Sequence, residues 1–226
     1  MSSALVGRQP ILGSNGDIFA YELLFRSGAA NSASVTDNAS ATANVLLNTL
    51  NSIGLDKLIG DKFAFINVDE NFLASKVLDG LPKDKFVIEI LETVKVDQNI
   101  IDRVSSLKNA GFTFAIDDID LHPEQIKNFE PLFEFASVLK IDLLAAGGAD
   151  KIKQKIDYFR GKNFKFLAEK VENASEYEKC KAMGFELFQG YFFEKPTIIE
   201  GKKIDSSEVS VIKILKKVQS GSDLGE

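Results

Sequence analysis

Seven apolar, strand-like stretches of the chain each contain polar residues of the kinds that bind metal ions or phosphate groups. A buried charge costs several kcal/mol unless it is paired or bound to a metal. Their recurrence in successive stretches predicts that these side chains meet around a shared ligand. They are Glu22 in IFAYELLF, Asn67 in FAFINV, Glu89 in FVIEIL, Asp117 and Asp118 in FTFAIDD, Lys140 in SVLKID, Glu169 in KFLAEKV and Gln189 in FELFQGY.

The chemistry of this set is that of hard divalent cations. Carboxylate and amide oxygens suit Mg2+ or Mn2+, whereas zinc favours His and Cys. The only residues of those two types, His122 and Cys180, do not form a ligand pair by their spacing. Two hard cations about 3.5–4 Å apart can activate water and neutralise a phosphoryl group. The residues therefore predict a two-ion site for Mg2+ or Mn2+ that cleaves phosphate esters.

Taken one at a time, these residues have structural alternatives. Asn67 could be a core amide, Glu89 and Lys140 could form a buried ion pair, and the two aspartates could cap a helix or a turn. Their joint occurrence at the same end of successive strands favours the site. Glu22 and Arg26 could form a surface pair, and Glu169 and Glu172 could be acids of an exposed loop. Gln189 could be a hydrogen-bonding residue of the core.

The elements that carry these residues alternate between strand and helix. The chain has 226 residues, 45% of them hydrophobic, which suffices for one (β/α)8 barrel of about 200 residues or more. The turn-forming run Gly13 to Asp17 predicts that the first two strands are antiparallel. The fold class is therefore α/β, a TIM-like barrel with an antiparallel first strand. The predicted strands are Arg8–Leu12, Ile18–Phe25, Phe63–Val68, Phe86–Leu91, Phe112–Ile119, Val138–Ile141, Phe164–Ala168 and Phe185–Tyr191.

Helices are predicted between the strands, and a change of character follows Pro196. Residues 1–200 are assigned to the barrel domain and residues 201–226 to a C-terminal connector and amphipathic helix. The connector is predicted at Gly201 to Asp205 and its helix at Ser206 to Val218. The predicted barrel helices are Val45–Leu58, Asp69–Leu81, Asp97–Ala110, Glu124–Phe129, Asp150–Phe159 and Ser175–Met183.

Charge and composition narrow the classes of partner. The net charge of −6 argues against a protein that grips a DNA or RNA polymer. A single cysteine leaves no internal disulfide, which is usual for a cytoplasmic protein. The N-terminal segment has no signal-peptide pattern, and no apolar run approaches the ~20 residues of a membrane span. The chain is predicted to be cytoplasmic, without a membrane partner.

The order of short segments along the chain resembles the EAL domain family, bacterial phosphodiesterases that open cyclic di-GMP. The resemblance runs from about Val6 to Pro196 through RQPI, YELLFR, FINV, VIEILE, AIDD, LKID, AEKVE and FQGYFFEKP. The residues of these segments are most similar to those of the branch in which an HDOD domain follows the EAL domain. The resemblance thus implies that cyclic di-GMP is the ligand and that the domain acts in signal transduction. It also implies an HDOD domain in a longer protein and is compatible with a homodimer.

The resemblance also implies roles for individual residues. One ion would be held by the first three strand residues, Glu22, Asn67 and Glu89, together with Asp117. Asp117, shared, and Asp118 would hold a second ion, and Glu169 would complete the shell. Lys140 would hydrogen-bond the attacking water. The other implied positions are Glu92, which anchors a loop beside the metals, Glu172 and Gln189, which orient water and ligands, and Gln9 and Arg26, which line the ligand pocket.

Two departures from the family pattern bear on activity. The signature triplet reads Glu22-Leu23-Leu24, a mild change because Leu23 points to the opposite side of the strand. After the paired aspartates the chain has DDIDLHPEQI where the family usually has DDFGTGYSSL. The loop loses its glycines and gains His122-Pro123, which stiffens it. The expected function is a phosphodiesterase that forms linear pGpG with weakened activity; the alternative is an impaired domain that senses cyclic di-GMP or binds a protein.

Overall fold

A computed structural model of the chain describes residues 4–25, 46, 50, 52–119, 121–159 and 161–201. The strands are β1 (Ala4–Gly13), β2 (Ile18–Phe25), β3 (Phe63–Val68), β4 (Phe86–Ile90), β5 (Thr113–Ile119), β6 (Ala136–Asp142), β7 (Lys165–Glu169), β8 (Leu187–Phe188) and β9 (Thr197–Gly201). The α-helices are α1 (Leu55–Ile59), α2 (Glu70–Ala74), α3 (Gln98–Asn109), α4 (Pro123–Phe129), α5 (Ala149–Ile156) and α6 (Ala174–Ala182). Short 3-10 turns occupy Leu78–Gly80, Glu130–Leu132 and Asp157–Phe159.

Eight of these strands close into a barrel, which confirms the predicted fold. Strands β2 to β8 follow one another in parallel, and β1 closes the ring because it pairs antiparallel with both β2 and β8. The antiparallel start comes from the turn between β1 and β2. There the Gly13 amide donates to the Asp17 carbonyl at 2.9 Å, and the Asn15 side-chain amide donates to the Asp17 carboxylate at 2.7 Å.

The helices begin where side chains cap their free amides. Asp69, Asp97 and Asn173 each accept a hydrogen bond from the backbone amide three residues on, at 2.7, 3.0 and 3.0 Å. The predicted helix Asp69–Leu81 is shorter in the structure. Helix α2 ends at Ala74, and the Ser75 hydroxyl accepts from the Val77 amide at 3.0 Å, a local bond that competes with the helix.

The barrel has two separate cores. The larger one lies between the sheet and its helices and includes Leu23, the neighbour of Glu22 whose side chain was predicted to point away from the site. The smaller one is the layer inside the barrel, to which each of the eight barrel strands contributes one residue: Ile11, Ala20, Phe65, Val87, Ala115, Val138, Leu167 and Leu187. This interior layer fills the barrel below the polar residues, as side-chain layers do in such folds.

A ninth strand pairs with the N-terminal half of β1, Ala4 to Arg8. Strand β9 runs antiparallel to β1, with Thr197 opposite Arg8 and Gly201 opposite Ala4. The sequence predicted no strand between Pro196 and the connector, so β9 extends the sheet up to the predicted domain boundary. The predicted connector beyond Gly201, its helix, and most of the predicted helix Val45–Leu58 lie outside the described residues. Within the part of the chain that is described, no helix is both long and apolar enough to cross a membrane.

Candidate active site

The polar residues converge because each follows the interior layer at a fixed spacing. In a strand, residues two apart point to the same side, so a residue two positions beyond a barrel-filling side chain also points inward. In β1, which runs the other way, Gln9 precedes Ile11 by two. The pairs are Ala20 and Glu22, Phe65 and Asn67, Val87 and Glu89, Ala115 and Asp117, Val138 and Lys140, Leu167 and Glu169, and Leu187 and Gln189.

Lys140 lies at the centre of the cluster. Its Nζ is 2.7 Å from a Glu89 oxygen, 2.6 Å from Asp117 and 2.9 Å from Glu169. A fourth carboxylate, Glu22, lies 3.9 Å away. The Lys140 side chain is 1% exposed, and all four carboxylates are buried. One ammonium therefore faces four carboxylates, which leaves excess negative charge that a divalent cation can balance.

Three amides complete one side of the cluster. The Asn67 amide nitrogen donates to Glu22 at 2.8 Å, and the Gln189 amide nitrogen donates to the other Glu22 oxygen at 2.6 Å. Gln189 also donates to Gln9 at 3.1 Å, and Gln9 donates to the Glu194 carbonyl at 3.0 Å. These bonds orient Glu22 and leave the amide oxygens of Asn67 and Gln189 free.

Several buried oxygens of the cluster have no hydrogen-bond partner among the described protein groups. Unpaired buried acceptors are costly and rare in folded proteins. An oxygen-only donor set of this kind suits Mg2+ or Mn2+ and not zinc, so the residues fit the predicted ions. The unpaired oxygens are Asn67 Oδ1, Glu89 Oε2, Glu169 Oε2 and Gln189 Oε1.

A second ligand group adjoins the first. Glu92, Asp117 and Asp118 each offer one carboxylate oxygen, and these oxygens lie within 4.8 Å of one another, close enough to share an ion. Asp117 belongs to both groups, and the resemblance implied that it is shared by two ions. Glu92, for which the resemblance implied a loop anchor beside the metals, lies where it can also contribute an oxygen to this second position. Its distance from Asp118 could not be inferred from the sequence.

Two residues of the site were missed by the sequence reading. Asp142 ends β6 and is buried, and its Oδ1 accepts from the Leu144 and Ala145 amides at 2.8 and 3.1 Å. Its other oxygen is bonded to Lys170, whose Nζ lies 3.8 Å from Asp118. The signal for Asp142 was present, because it follows Lys140 by two residues in the same strand. No sequence pattern pointed to Lys170.

Burial and charge shift the pKa values within the cluster in opposite directions. Burial, with the neighbouring charges of Glu22 and Asp117, raises the pKa of Glu89 well above its usual 4.5, against the attraction of Lys140. Burial likewise raises the pKa of Glu169 and of Asp117. Burial would also raise the pKa of Glu22, but Lys140 and the amides of Gln189 and Asn67 outweigh it and lower that pKa.

The two lysines stay charged. Burial alone would lower the pKa of Lys140, but the surrounding carboxylates, Asp117 and Glu169 first, raise it well above 10.5. Partial burial alone would also lower the pKa of Lys170. The hydrogen bond with Asp142 and the charge of Asp118 outweigh the effect of burial, so the pKa of Lys170 is raised. Lys140 can therefore donate hydrogen bonds at neutral pH.

The raised pKa of Glu89 predicts a pH-dependent stability in the metal-free protein. The folded chain holds a proton on Glu89 that the unfolded chain releases above about pH 4.5, so this contribution is lost as pH rises through the folded pKa. Glu89→Gln cannot titrate. We expect its melting temperature, measured in EDTA, to rise relative to wild type as pH increases from about 4.5 towards the raised pKa of Glu89. The surface variant Glu186→Gln should follow wild type; a constant or falling difference for Glu89→Gln would contradict the shift.

Gly190 holds Gln189 in place through a close backbone approach. A Cβ at this position would lie 2.2 Å from the Val171 carbonyl oxygen. The absence of a side chain lets the Val171 amide donate to the Gln189 carbonyl at 3.1 Å, while the Gln189 amide donates to the Ala168 carbonyl at 2.8 Å. Strand β8, regular only over Leu187–Phe188, is thereby continued up to the site although it is shorter than predicted.

The segment after Asp118 is held by apolar burial. Ile119 and Leu121 are 0% and 2% exposed, and α4 begins directly at Pro123. Asp118 and Leu121 both have left-handed backbone angles, φ 43° and 63°, which side chains adopt only where the surroundings hold them. Ile119 and Leu121 thus anchor the start of the segment in the core, and the stiffness of the loop stays a prediction of the sequence.

Of two further predicted site residues, Glu172 is not joined to the cluster and Arg26 is not described. Glu172 is exposed, and its amide donates to Glu176 at 2.9 Å; among the contacts of the described side chains, none joins it to the cluster. Arg26 lies outside the described residues. Glu172 and Arg26 therefore stay predictions of the sequence, the first as a residue that orients water and the second as a ligand contact.

Comparisons with known proteins agree with this geometry. The family model described as "EAL domain" matches residues 8–196. The uncharacterized protein YuxH of Bacillus subtilis is 34% identical over 94% of this chain and 52% of its own length. The cyclic di-GMP phosphodiesterase CdgJ of Vibrio cholerae is 31% identical over 96% of this chain and 50% of its own. The chain thus spans about half the length of the curated relatives it matches.

Solved structures show the same fold at lower identity. BlrP1 of Klebsiella pneumoniae, in a complex with manganese and cyclic di-GMP, superposes with a TM-score of 0.68 at 18% identity over 87% of this chain and 56% of its own. A standalone EAL protein of Vibrio cholerae O395, bound to cyclic di-GMP, gives a TM-score of 0.61 at 24% identity over 89% and 93%. With the family model matching most of its length, the chain belongs to the EAL domain family.

Proposed function

We propose that this domain hydrolyses cyclic di-GMP to linear pGpG with Mg2+ or Mn2+, at a reduced rate. The observation that carries the proposal is the convergence of four carboxylates and Lys140 at one end of the barrel, with buried oxygens left unpaired. Membership of the EAL family and the similarity to CdgJ, named a cyclic di-GMP phosphodiesterase, supply the substrate. Structures of relatives with calcium or manganese support a divalent cofactor.

The residues would divide between two ion positions. Glu22, Asn67, Glu89 and Asp117 would hold one ion, with Glu169 completing its shell, and Asp117, Asp118 and Glu92 would hold the other. Divalent ions supply two effects at such a site: they lower the pKa of water and neutralise charge on a phosphate. Because the pKa values of Glu89 and Glu169 are raised, ion binding would displace protons from these carboxylates, and ion affinity would rise with pH.

Lys140 and the amides would act on water and substrate directly. The Lys140 ammonium keeps its protons at neutral pH and, once ions take over part of the carboxylate charge, can donate a hydrogen bond to the attacking water. Gln189 is held at the same end of the barrel by its bonds to Glu22 and Gln9. Gln9, Gln189 and Arg26 are proposed to contact the dinucleotide, and Glu172 to orient water.

Product analysis tests the proposal. Purified protein incubated with cyclic di-GMP should yield pGpG in Mg2+ or Mn2+ and none in EDTA. We expect Ca2+ to inhibit, because its larger and looser coordination fits a two-ion geometry poorly. A chain that binds the dinucleotide but forms no pGpG with any of these ions would contradict the proposed hydrolysis.

A second candidate function follows from the altered segment Ile119 to Ile126. The burial of Ile119 and Leu121 and the missing glycines favour a domain that binds cyclic di-GMP without rapid turnover and passes a signal to another domain or protein. Calorimetric titration with cyclic di-GMP separates the cases: binding without pGpG supports a sensor, and absence of both supports a protein-interaction module. A homodimer, and an HDOD domain in a longer protein, are proposed partners of either form.

A further inference from the structure

Lys170 occupies an unusual backbone position next to the second ligand group. It follows the last residue of β7 and has a left-handed backbone angle, φ 55°. Non-glycine side chains seldom adopt this conformation, and it costs of the order of 1 kcal/mol or more, so it persists where the surroundings hold it. Here the side chain is held by two carboxylates on neighbouring strands, Asp142 on β6 and Asp118 on β5.

The contacts of Lys170 are asymmetric. Asp142 is fully engaged, since one of its oxygens caps the turn at Leu144 and Ala145 and the other bonds to Lys170. Asp118 is the looser partner, at 3.8 Å from the ammonium, and its side chain is 35% exposed. Asp118 is also one of the three carboxylates that lie close enough to share an ion with Glu92 and Asp117.

We propose that Lys170, tethered by Asp142, places a fixed positive charge beside Asp118 and thereby weakens the binding of a divalent ion at the Glu92–Asp117–Asp118 position. The inference rests on the proposed two-ion function and concerns only its second position. Lys170 is a positioning residue, because it would act on the ion through Asp118. The first position should change less, since its ligands are held by Lys140 and the amides.

Titration with Mn2+ tests the inference without relying on turnover. We expect wild type to bind one Mn2+ more tightly than the second. Lys170→Met should tighten the second by about tenfold, the order expected when one positive charge is removed from near a divalent ion in a water-like dielectric, and change the first by less. Lys170→Arg, which keeps the charge, should resemble wild type.

A matched control comes from another half-exposed lysine. Lys179 is 46% exposed and pairs with Asp150 at 2.7 Å on the protein surface, against 48% for Lys170. Lys179→Met should change neither Mn2+ affinity. Melting temperatures of all variants report whether Lys170 serves only to hold the loop, because a purely structural role would lower the melting temperature and leave the second affinity unchanged or weaker.

The outcomes separate the inference from the proposed function. An unchanged or weaker second Mn2+ in Lys170→Met, with the first bound and pGpG formed, overturns the inference alone. Absence of any Mn2+ binding in both wild type and Lys170→Met overturns the inference and the two-ion hydrolysis together. A tighter second Mn2+ without any pGpG supports the inference and counts against hydrolysis.

Discussion

Replacing Lys140 with methionine is expected to destabilise the metal-free protein by about 3–5 kcal/mol, because the change leaves buried carboxylates without their cation. Three of them lie within 2.9 Å of the ammonium. The loss should grow as pH rises above about 4.5, where the unfolded carboxylates ionise freely and the folded ones cannot. Chemical denaturation in EDTA measures the effect. The surface variant Lys165→Met, whose partner is Glu186, serves as the control.

Manganese separates the structural role of Lys140 from its catalytic one. Bound ions bring positive charge to the same carboxylates, so Mn2+ should restore much of the stability of Lys140→Met. Turnover of cyclic di-GMP should stay about 100- to 10,000-fold below wild type, since the donor to the attacking water is missing. A Lys140→Met protein as stable in EDTA as wild type would refute the charge-balancing role, and one with full turnover would refute the catalytic role.

Glu89→Gln is expected to have the opposite effect on stability and an equally large effect on function. The carboxylate is fully buried and its pKa is raised, so the neutral amide should be tolerated or slightly stabilising in EDTA at neutral pH. Mn2+ affinity and turnover should both fall by at least about 100-fold, more than the 10- to 100-fold usual for residues that only support a ligand.

Calorimetry with Mn2+ and quantified pGpG formation measure the two losses in Glu89→Gln. Glu186→Gln makes the same chemical change at an exposed position and should leave both quantities at the wild-type level. If Glu89→Gln bound Mn2+ as tightly as wild type, Glu89 would be a structural partner of Lys140 and not an ion ligand, which is the plain alternative that the sequence left open.

Much of the barrel and its polar cluster could be predicted from local patterns. The turn after Gly13 predicted the antiparallel start, and the structure confirms it. Polar residues such as Asn67 and Lys140 follow barrel-filling residues by two, and this period is a local property of extended chain, visible without knowledge of the neighbours. Local patterns also located the starts of the helices at Asp69 and Asp97, and in the structure both side chains accept a hydrogen bond from the amide three residues on.

Elements that depend on competing local interactions were predicted less well. The helix after Asp69 was predicted to continue to Leu81. In the structure it ends at Ala74, where the Ser75 hydroxyl accepts a hydrogen bond from the Val77 amide. The sequence did not predict strand β9, because its five residues form their ladder hydrogen bonds with the N-terminal half of β1, at the other end of the sequence. A strand that depends on a partner so distant in the sequence has no local pattern of its own that would predict it.

The amino-acid sequence by itself determined which residues face the barrel interior, because side-chain alternation is set by the backbone of each strand. Tertiary structure decided how those residues meet. The stagger of closed strands puts Lys140 among four carboxylates, and the loop after β4 brings Glu92 to Asp117 and Asp118. It also gave Lys170 its place beside Asp118, since its left-handed backbone is held by contacts with two other strands, and such contacts exist only when the ring is closed.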